Sequence, residues 1–383
     1  MPAFVDRRLA SIERAGRFRD PPTVEALHGV RGRVAGRDVR VFCSNDYLGL
    51  RQHPAVLAGA AAALQQGGGA GSSRLIAGSL PIHRELESEL ADWMGTEAAL
   101  VLSSGYQANI AVLGALGRRA DRIVSDELNH ASIIDGCRLA RADVIRVPHA
   151  AVDAVRAVLA EPIGGESFVV GEGLYSMDGD RGPVAGWASA GGHLVVDEAH
   201  AVGVLGPGGR GVCAESGIEP LVRVGTFGKA FGGHGAFVAC DARTRELLVN
   251  TGRTYIFTTG LPPASAGAAR AALAILRGDE GAERRAAVAA RSRRLRAGLA
   301  EFGGAGGDPD SPIVPWTVGS AAAAVSCSAA LLDAGFFATA IRPPTVPAGA
   351  CRIRFTLSAD HEDADVDALL MAIGRLAAAE MSR

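Results

Sequence analysis

The 383-residue sequence predicts an α/β fold, with a mainly parallel central sheet flanked by helices and a smaller α+β domain after it. Short apolar runs recur between residues 98 and 240, and a stretch able to form a helix separates each run from the next. The runs read AALVL, RIVSD, VIRV, SFVVGE, HLVVDE, VRVGTF and GAFVAC. Because their apolar residues are continuous rather than alternating, we expect both faces of each strand to be buried, as in a parallel sheet.

Helices are predicted before and after this sheet. Ile82, Leu86, Leu90 and Trp93 recur at a spacing of three to four and so share one helical face. An Ala- and Arg-rich helical region covers about 262–302. The segment GGAGGDPDSP is then a loop, IVPWTV reads as a strand, and CRIRFTLSA with a closing helix completes the smaller domain.

We expect the chain to divide into three parts. Residues 1–45 form an N-terminal segment associated with the small domain, residues 46–250 form the large domain, and residues 251–383 form the C-terminal small domain. The large domain contains all of the apolar runs, so any site built at the ends of those strands belongs to it.

The composition argues against several classes of function. A net charge of −2 gives no general electrostatic reason to bind nucleic acid or an anionic membrane. No apolar run approaches the roughly 18–20 residues that span a bilayer, and the N-terminus lacks the apolar segment of a secretory signal. The six cysteines form no CxxC pair and read as buried thiols in a reducing compartment. We therefore expect a cytoplasmic protein that binds neither nucleic acid nor membrane.

Polar segments follow five of the predicted strands, reading SSGY, DELNH, EGLYSMDGD, DEAH and TFGK. In an open parallel sheet the carboxyl ends of the strands form the ligand crevice. The five segments are therefore expected to converge at one edge of the sheet.

Lys229, in VGTFGKAFGGHG, is the only lysine of the chain, although Lys and Arg together number 39. Arginine can replace lysine as a solvated charge, but its guanidinium stays protonated and cannot attack a carbonyl as an amine can. A chance survivor of a bias toward arginine is one explanation. A lysine that forms a Schiff base is the functional alternative, and the small residues around it would let backbone N–H groups approach a phosphate.

Two other kinds of site fit these residues less well. A Walker A loop requires glycine where Arg223 stands and Ser or Thr where Ala230 stands. The letters DEAH also occur in nucleic-acid-dependent ATPases, the remote alternative, but that class needs a Walker A lysine. Asp197, Glu198 and His200 could ligate a metal, yet no third cluster has suitable spacing, so no metal is expected.

Pyridoxal 5'-phosphate fits these residue types better. It requires a lysine amine, an acidic partner for its ring nitrogen, a flat group against the ring and an anchor for phosphate. Asp197 would keep the ring nitrogen protonated, and His200 could hydrogen bond to the phenolic oxygen. His130 could stack on the ring. Residues Gly105 and Tyr106 begin a helix, where backbone N–H groups and the helix dipole can hold phosphate. The turn SMDGDRG would present Ser176 toward the crevice.

With SNDYLGL, SSGYQAN, NHASIIDG, EGLYSMDGD, VVDEAH, TFGKAFG and AIRPPTVPAGACRIRFTLSA in this order, the chain resembles the α-oxoamine synthases over about residues 40–360. These are fold-type I pyridoxal-phosphate transferases that condense an amino acid with an acyl thioester and release carbon dioxide. The resemblance implies catalytic roles for Lys229, His130, Asp197 and His200. The cofactor contacts it implies are Gly105, Tyr106, His130, Ser176, Asp197, His200, Thr226 and Lys229. The substrate contacts it implies are Arg19, His130, Thr345 and Arg354, with Arg354 gripping the amino acid carboxylate.

The resemblance also implies partners. The segment TAIRPPTVPAG is most similar to members that join L-alanine to a pimeloyl thioester, carried on coenzyme A or on acyl carrier protein. Members that use glycine and a short acyl thioester are the alternative. A homodimer with its active site at the subunit interface is expected, and the glycine-rich stretch 67–78 is a candidate for reaching across that interface.

Overall fold

The computed structural model describes residues 3–381 and begins with a small sheet that joins the two ends of the chain. Helix α1 (Ala3–Arg14) precedes strands β1 (Val24–His28), β2 (Arg31–Val34) and β3 (Arg37–Val41). These strands pair antiparallel, and β3 also pairs in parallel with a short strand at Phe336–Phe337. The N-terminal segment is thus hydrogen bonded to the C-terminal part of the chain. Helices α2 (Pro54–Leu64) and α3 (Pro81–Met94) follow.

The large sheet comes next and contains seven strands within the described residues. In chain order they are β4 (Ala98–Leu102), β5 (Arg122–Asp126), β6 (Asp143–Val147), β7 (Ser167–Glu172), β8 (His193–Asp197), β9 (Val222–Thr226) and β10 (Ala236–Cys240). The helices between them are α4 (Gly105–Leu116), α5 (Ala131–Leu139), α6 (Val152–Ala160), α7 (Val184–Ala190) and α8 (Gly211–Glu215). The spatial order is β4-β10-β9-β8-β7-β5-β6, and only β10 runs against its neighbours. The predicted mainly parallel sheet is confirmed.

The helix expected between β9 and β10 was wrong. That connection is a tight loop in which the Phe227 N–H donates to Gly235 O at 2.9 Å and the Gly233 N–H donates to Phe227 O at 2.8 Å. Gly232 has φ +65°, and a Cβ there would lie 2.3 Å from the backbone nitrogen of Arg51. A connection this short cannot make a parallel crossover, which needs a dozen or more residues. The loop therefore returns the chain antiparallel and presents Lys229.

Both faces of the large sheet are buried, as the continuous apolar runs predict. Leu100 and Leu102 of β4 face the α4 side, together with Val224 and Val238. Val101 lies in the other apolar cluster, on the opposite face. Each such side chain contributes about 1.5–3 kcal/mol when it is fully buried. Apolar packing on both faces thus holds the strand ends, and the polar groups on them, in place.

The rest of the chain forms helices and a second small sheet. Its helices are α9 (Ala242–Thr251), α10 (Arg253–Ile256), α11 (Pro263–Arg277), α12 (Asp279–Leu299), α13 (Ala321–Asp333) and α14 (Asp363–Met381). The strands of this part of the chain are β11 (Ile313–Gly319), β12 (Phe336–Phe337), β13 (Thr339–Ile341) and β14 (Cys351–Thr356). Strand β12 is the one that pairs with β3, and the other three form the second small sheet. Within residues 3–381, no helix is both long and apolar enough to cross a membrane.

The helical region predicted for 262–302 consists of two helices. Gly278 has an extended backbone, with ψ −179°, and so ends α11 before α12 begins. Asp279 and Glu280 lie in the first turn of α12, where carboxylates favour the positive end of the helix dipole. Helix α11 packs on α2 and α3, whereas α12 packs on α14. The division into domains at residue 250 stays a prediction.

Candidate active site

The polar segments at the strand ends do converge. They surround a cavity of about 200 Å³ at the carboxyl ends of β5, β7, β8 and β9, beside the start of α4. This cavity, called the lysine cavity below, is lined by Gly105, Tyr106, Asn109, His130, Ser132, Glu172, Asp197, Ala199, His200, Thr226 and Lys229. Each of the five predicted segments contributes at least one of these residues.

Lys229 lies on the loop between β9 and β10, partly buried against the strand ends. Burial lowers the pKa of its amine to about 8, although the carboxylates of Asp197 and Glu172 act in the opposite direction. An amine with this pKa loses its proton near neutral pH far more readily than a solvated lysine does. Lys229 is therefore suited to attack a carbonyl or to accept a proton.

Asp197 ends β8 and is held by two donors. The side-chain amide of Asn109 donates to Oδ2 at 2.7 Å, and the Ala199 N–H donates to Oδ1 at 2.9 Å. Asn109 lies on α4 and also donates to the Ser132 hydroxyl at 2.9 Å. The carboxylate thus has a fixed orientation at the wall of the lysine cavity, with lone pairs left to accept one further hydrogen bond.

The two predicted histidines have different surroundings. His130 caps the N-terminus of α5: its Nδ1 accepts the Ser132 N–H at 3.3 Å and lies 2.8 Å from the Ser132 hydroxyl. Burial lowers the pKa of His130, and Lys229 acts in the same direction. His200 is buried, and its Nδ1 lies 2.7 Å from the Tyr47 hydroxyl. Burial, Lys229 and Arg354 hold the pKa of His200 well below its usual value. Both imidazoles are therefore neutral at physiological pH.

The N-terminus of α4 opens into the lysine cavity. Ser104 caps this helix, and the first hydrogen bond within it runs from the Ala108 N–H to Ser104 O at 3.0 Å. The N–H groups of Gly105 and Tyr106 precede that bond and so have no acceptor within the helix. They are available to an anion in the cavity. The Tyr106 hydroxyl donates to Asp135 instead.

Thr226 ends β9 and faces the start of α4. Its hydroxyl accepts the Gly228 N–H at 3.1 Å and donates to Gly235 O at 3.0 Å. A Cβ added to Gly105 would lie 3.8 Å from the Thr226 Cβ, so the two elements approach closely. Contact between the Thr226 hydroxyl and a phosphate would require its proton to turn away from Gly235.

Four of the predicted residues lie outside the lysine cavity, namely Ser176, Thr345, Arg19 and Arg354. Ser176 and Thr345 line a neighbouring cavity of about 640 Å³, because Ser176 belongs to the turn after β7 that packs toward the small domain. Arg19 lies in an exposed segment between α1 and β1, and Arg342 anchors that segment by donating to Gly16 O and Phe18 O at 2.6 and 2.8 Å.

Arg354 of β14 is a buried cation. Its Nε donates to Ser176 O at 2.6 Å, and its terminal nitrogens lie 3.4 Å from the Asn45 amide oxygen. Within residues 3–381, no carboxylate lies within ion-pair distance of it. A buried guanidinium without a carboxylate partner is an unusual and costly arrangement, and a bound carboxylate would compensate it.

Six residues of the site were not selected from the sequence, including Ser132 and Ala199 of the lysine cavity. Glu172 and Asn109 line the lysine cavity, and Tyr47 and Asn45 connect His200 to Arg354. Asn45 and Tyr47 belong to the motif SNDYLGL and Glu172 begins EGLYSMDGD, so the motifs point to the site but do not single out these members. The position of Glu172 at a strand end, directly before Gly173, was the available signal.

Comparison with known proteins agrees with this geometry. Residues 37–373 match the model of the family described as aminotransferase class I and II, and the chain belongs to that family. The resemblance to α-oxoamine synthases and the fold-type I architecture are confirmed, whereas the nucleic-acid-dependent ATPase alternative is wrong.

The chain is similar over nearly its whole length to curated relatives called 8-amino-7-oxononanoate synthase. It is 43% identical over 376 residues to one from Geobacter sulfurreducens, with 96% of each chain covered. It is 46% identical over 374 residues to one from Klebsiella pneumoniae, again with 96% of each chain covered.

Two solved structures share the fold of this chain. Serine palmitoyltransferase of Sphingomonas wittichii has a TM-score of 0.89 and 33% identity, covering 97% of this chain and 95% of that chain. The 8-amino-7-oxononanoate synthase of Francisella tularensis has a TM-score of 0.78 and 28% identity, covering 90% of this chain and 99% of that chain.

Proposed function

We propose that this chain catalyses the decarboxylative condensation of L-alanine with a pimeloyl thioester, using pyridoxal 5'-phosphate. The products are 8-amino-7-oxononanoate, carbon dioxide and the free thiol of coenzyme A or acyl carrier protein, which makes the reaction a step of biotin biosynthesis. One observation carries the proposal. The chain is 43% identical over 376 residues to a curated 8-amino-7-oxononanoate synthase. Its only lysine lines one cavity together with two carboxyl groups, and the pKa of that lysine is lowered to about 8.

The residues of the lysine cavity fit the cofactor. A volume of about 200 Å³ is below the roughly 300–1,000 Å³ of pockets that bury drug-sized ligands, so it suits one ring with short substituents. An amine, a fixed carboxylate, an imidazole and a helix N-terminus are the four groups that pyridoxal phosphate requires. When bound, the cofactor supplies an aldehyde for the amine and a ring that accepts electrons from the amino acid.

The protein groups have separate tasks in the reaction. Lys229 Nζ exchanges a proton near neutral pH, so it can take the proton from the α-carbon of alanine. Asp197 Oδ1 and Oδ2 are held by Ala199 and Asn109, and the carboxylate would keep a proton on the ring nitrogen. This stabilisation is greater in the transition state, where negative charge flows toward the ring.

His130 and His200 act without adding positive charge. Both imidazoles are neutral at physiological pH, for the reasons given above. His130 can lie flat against the ring, and His200, fixed by Tyr47, can hydrogen bond to the phenolic oxygen.

Arg354 binds the carboxylate of alanine in this proposal. Its guanidinium is buried and lacks a carboxylate partner, and a planar fork can form two parallel hydrogen bonds to a carboxylate. Fixing the carboxylate also fixes which bond at the α-carbon is aligned for cleavage. Ser176 and Thr345 line the neighbouring cavity, where we expect the acyl substrate to lie.

A homodimer is part of the proposal. The glycine-rich stretch 67–78 exposes Leu75 and Ile76, the latter 82% exposed, and Ser73 pairs with Thr259 close to the exposed Phe257. The Ser103 hydroxyl lies 3.5 Å from Thr259 O, which joins this apolar surface to the strand end beside α4. Burial of the surface by a second copy would place the partner at the edge of the lysine cavity.

A substrate screen tests the proposed reaction. Purified protein loaded with pyridoxal phosphate should form 8-amino-7-oxononanoate from L-alanine and pimeloyl-CoA, measured by mass spectrometry. Turnover restricted to glycine and acetyl-CoA would reject this substrate pair.

Lys229→Arg keeps the positive charge but should reduce product formation by at least about 1,000-fold, because a guanidinium cannot act as the amine. The matched control is Arg243→Lys, an exposed arginine of α9, which should retain full activity. Full turnover by Lys229→Arg would contradict the role of the amine.

A further inference from the structure

Glu172 is a second acid of the lysine cavity that the proposed mechanism does not use. It ends β7 and is 2% exposed, yet it lines the cavity. Strand register places it directly beside Asp197 of β8. Two carboxyl groups therefore lie at the same end of neighbouring strands, facing one cavity.

Glu172 contacts the residue that is expected to stack on the cofactor ring. Its Oε1 accepts the backbone N–H of His130 at 2.6 Å. His130 is the residue at which the chain enters α5, and its ring is held by Ser132 from the other side. The carboxyl group of Glu172 thus fixes the backbone from which the His130 imidazole extends, and the link joins segments 42 residues apart.

The charges around Glu172 favour its neutral form. The titratable groups that act on it are Asp197 on β8, Asp126 on β5 and Lys229 on the loop after β9. Burial and the two aspartates raise the pKa of Glu172 well above its usual value, whereas Lys229 and the His130 N–H oppose this. Asp197 has two donors, from Asn109 and Ala199, so the negative charge of the pair is better placed on Asp197.

We propose that Glu172 is a positioning residue, which as a neutral carboxylic acid holds His130 against the cofactor ring and leaves Asp197 as the single negative charge of the pair. A neutral group at this point keeps the backbone contact without a second anion beside Asp197. The protonation state of Glu172 is a property of the cofactor-free protein. Only the identity of the cofactor rests on the proposed function.

Three variants separate the contact from the charge. Glu172→Gln keeps an oxygen that can accept the His130 N–H but cannot ionise. Glu172→Ala removes the acceptor, and leaving this partly buried N–H unsatisfied costs up to about 3 kcal/mol, or up to roughly 150-fold in an equilibrium. Val144→Thr, at an exposed position of the edge strand β6 where neither side chain ionises, is the control for a distant change.

The first measurement is the dissociation constant of pyridoxal phosphate, from absorbance titration of the cofactor-free protein. Glu172→Gln should bind within about threefold of the unchanged protein, and Glu172→Ala should bind at least about tenfold more weakly. Equal weakening in both variants would overturn the proposal, because it would show that the ionised carboxylate is needed. If the unchanged protein binds no pyridoxal phosphate, the proposed function fails instead.

The second measurement is the Tm of the cofactor-free protein between pH 5 and 8. An acid whose pKa is raised by folding destabilises the folded protein as the pH rises above its unfolded pKa of about 4.3. Glu172→Gln should therefore gain Tm over the unchanged protein as the pH rises, and Val144→Thr should not. A constant difference between Glu172→Gln and the unchanged protein would overturn the neutral state, whatever the cofactor proves to be.

Discussion

Two histidines each follow a strand of the large sheet, and the charges around them differ. His200 follows β8 and hydrogen bonds with the Tyr47 hydroxyl, and burial together with the cations of Lys229 and Arg354 holds the pKa of its imidazole well below the usual value. His149 follows β6 and lies between two carboxylates, Asp126 at 3.0 Å and Asp180 at 2.7 Å. Those carboxylates raise the pKa of His149 to about 10.

This difference distinguishes the candidate active site, whose groups remain available for reaction, from the cluster around His149, whose charges are paired. In the cluster of His149, Asp126 and Asp180, each ring nitrogen has an acceptor, and the imidazolium has fixed partners. The candidate active site instead holds groups whose partners are incomplete, such as Lys229 in the lysine cavity, near its pKa, and the buried Arg354 outside that cavity, which has no carboxylate partner. Incomplete pairing costs stability but leaves groups free to bind and to move protons. Changes in the lysine cavity should therefore alter kcat, whereas changes in the His149 cluster, which lines the neighbouring cavity, should alter stability more than kcat.

Among the changes that compare the lysine cavity with the His149 cluster, Asp197→Asn should give the largest effect on activity. An amide cannot keep a proton on a ring nitrogen, and the loss of one such electrostatic group costs about 100- to 1,000-fold in rate. Because Asn has nearly the same shape, the Tm should change little, and kcat with L-alanine and pimeloyl-CoA is the measurement. Asp180→Asn is the matched exchange in the His149 cluster and should lower Tm with little change in kcat. Equal changes of kcat and Tm in the two variants would contradict the distinction between the lysine cavity and the His149 cluster.

Arg354→Lys should act mainly on substrate binding. The ammonium keeps the charge but cannot form two parallel hydrogen bonds to a carboxylate, so KM for L-alanine should rise about 10- to 100-fold. Arg122→Lys is the control, since Arg122 is also buried but lies at the opposite end of β5. Steady-state kinetics at saturating pimeloyl-CoA measure this. An unchanged KM for alanine would place its carboxylate elsewhere.

His149→Gln should leave kcat nearly unchanged, although His149 lines the neighbouring cavity, and should lower stability in a pH-dependent way. A histidine whose pKa is raised by folding stabilises the folded protein fully below its unfolded pKa of about 6.5, and this stabilisation is lost as the pH rises toward 10. At pH 6 the variant should lose about 3–5 kcal/mol, or roughly 4–6 °C in Tm. The deficit should shrink between pH 7 and 10. A deficit of the same size at every pH would show that the imidazolium is not stabilised by its carboxylates.

Much of the fold could be predicted because its signals are local. Continuous apolar runs identify the strands of a sheet that is buried on both faces, and the polar segments after them identify the crevice edge. The antiparallel β10 was missed, although the segment GKAFGGHG is too short for a parallel crossover and its glycines suit a tight turn.

The site could be predicted only where one residue type had no substitute. Lys229 stands out because no arginine can perform amine chemistry. Asp197 and His200 could be selected because both belong to the motif VVDEAH. The contacts that orient these groups join distant segments: Asn109 and Asp197 are 88 residues apart, and Tyr47 and His200 are 153 residues apart. Such pairs depend on strand order and register, which apolar periodicity does not specify.

Chemical trapping of the Lys229 amine tests the central claim most directly. The protein is loaded with pyridoxal phosphate, reduced with borohydride, digested and mapped by mass spectrometry. We predict that the pyridoxyl group lies on the peptide containing Lys229, and that the Arg243→Lys variant, which adds a second lysine on the exposed surface of α9, leaves that added lysine unlabelled. Recovery of every Lys229 peptide without the group, or labelling of the added lysine to the same extent as Lys229, would contradict the account.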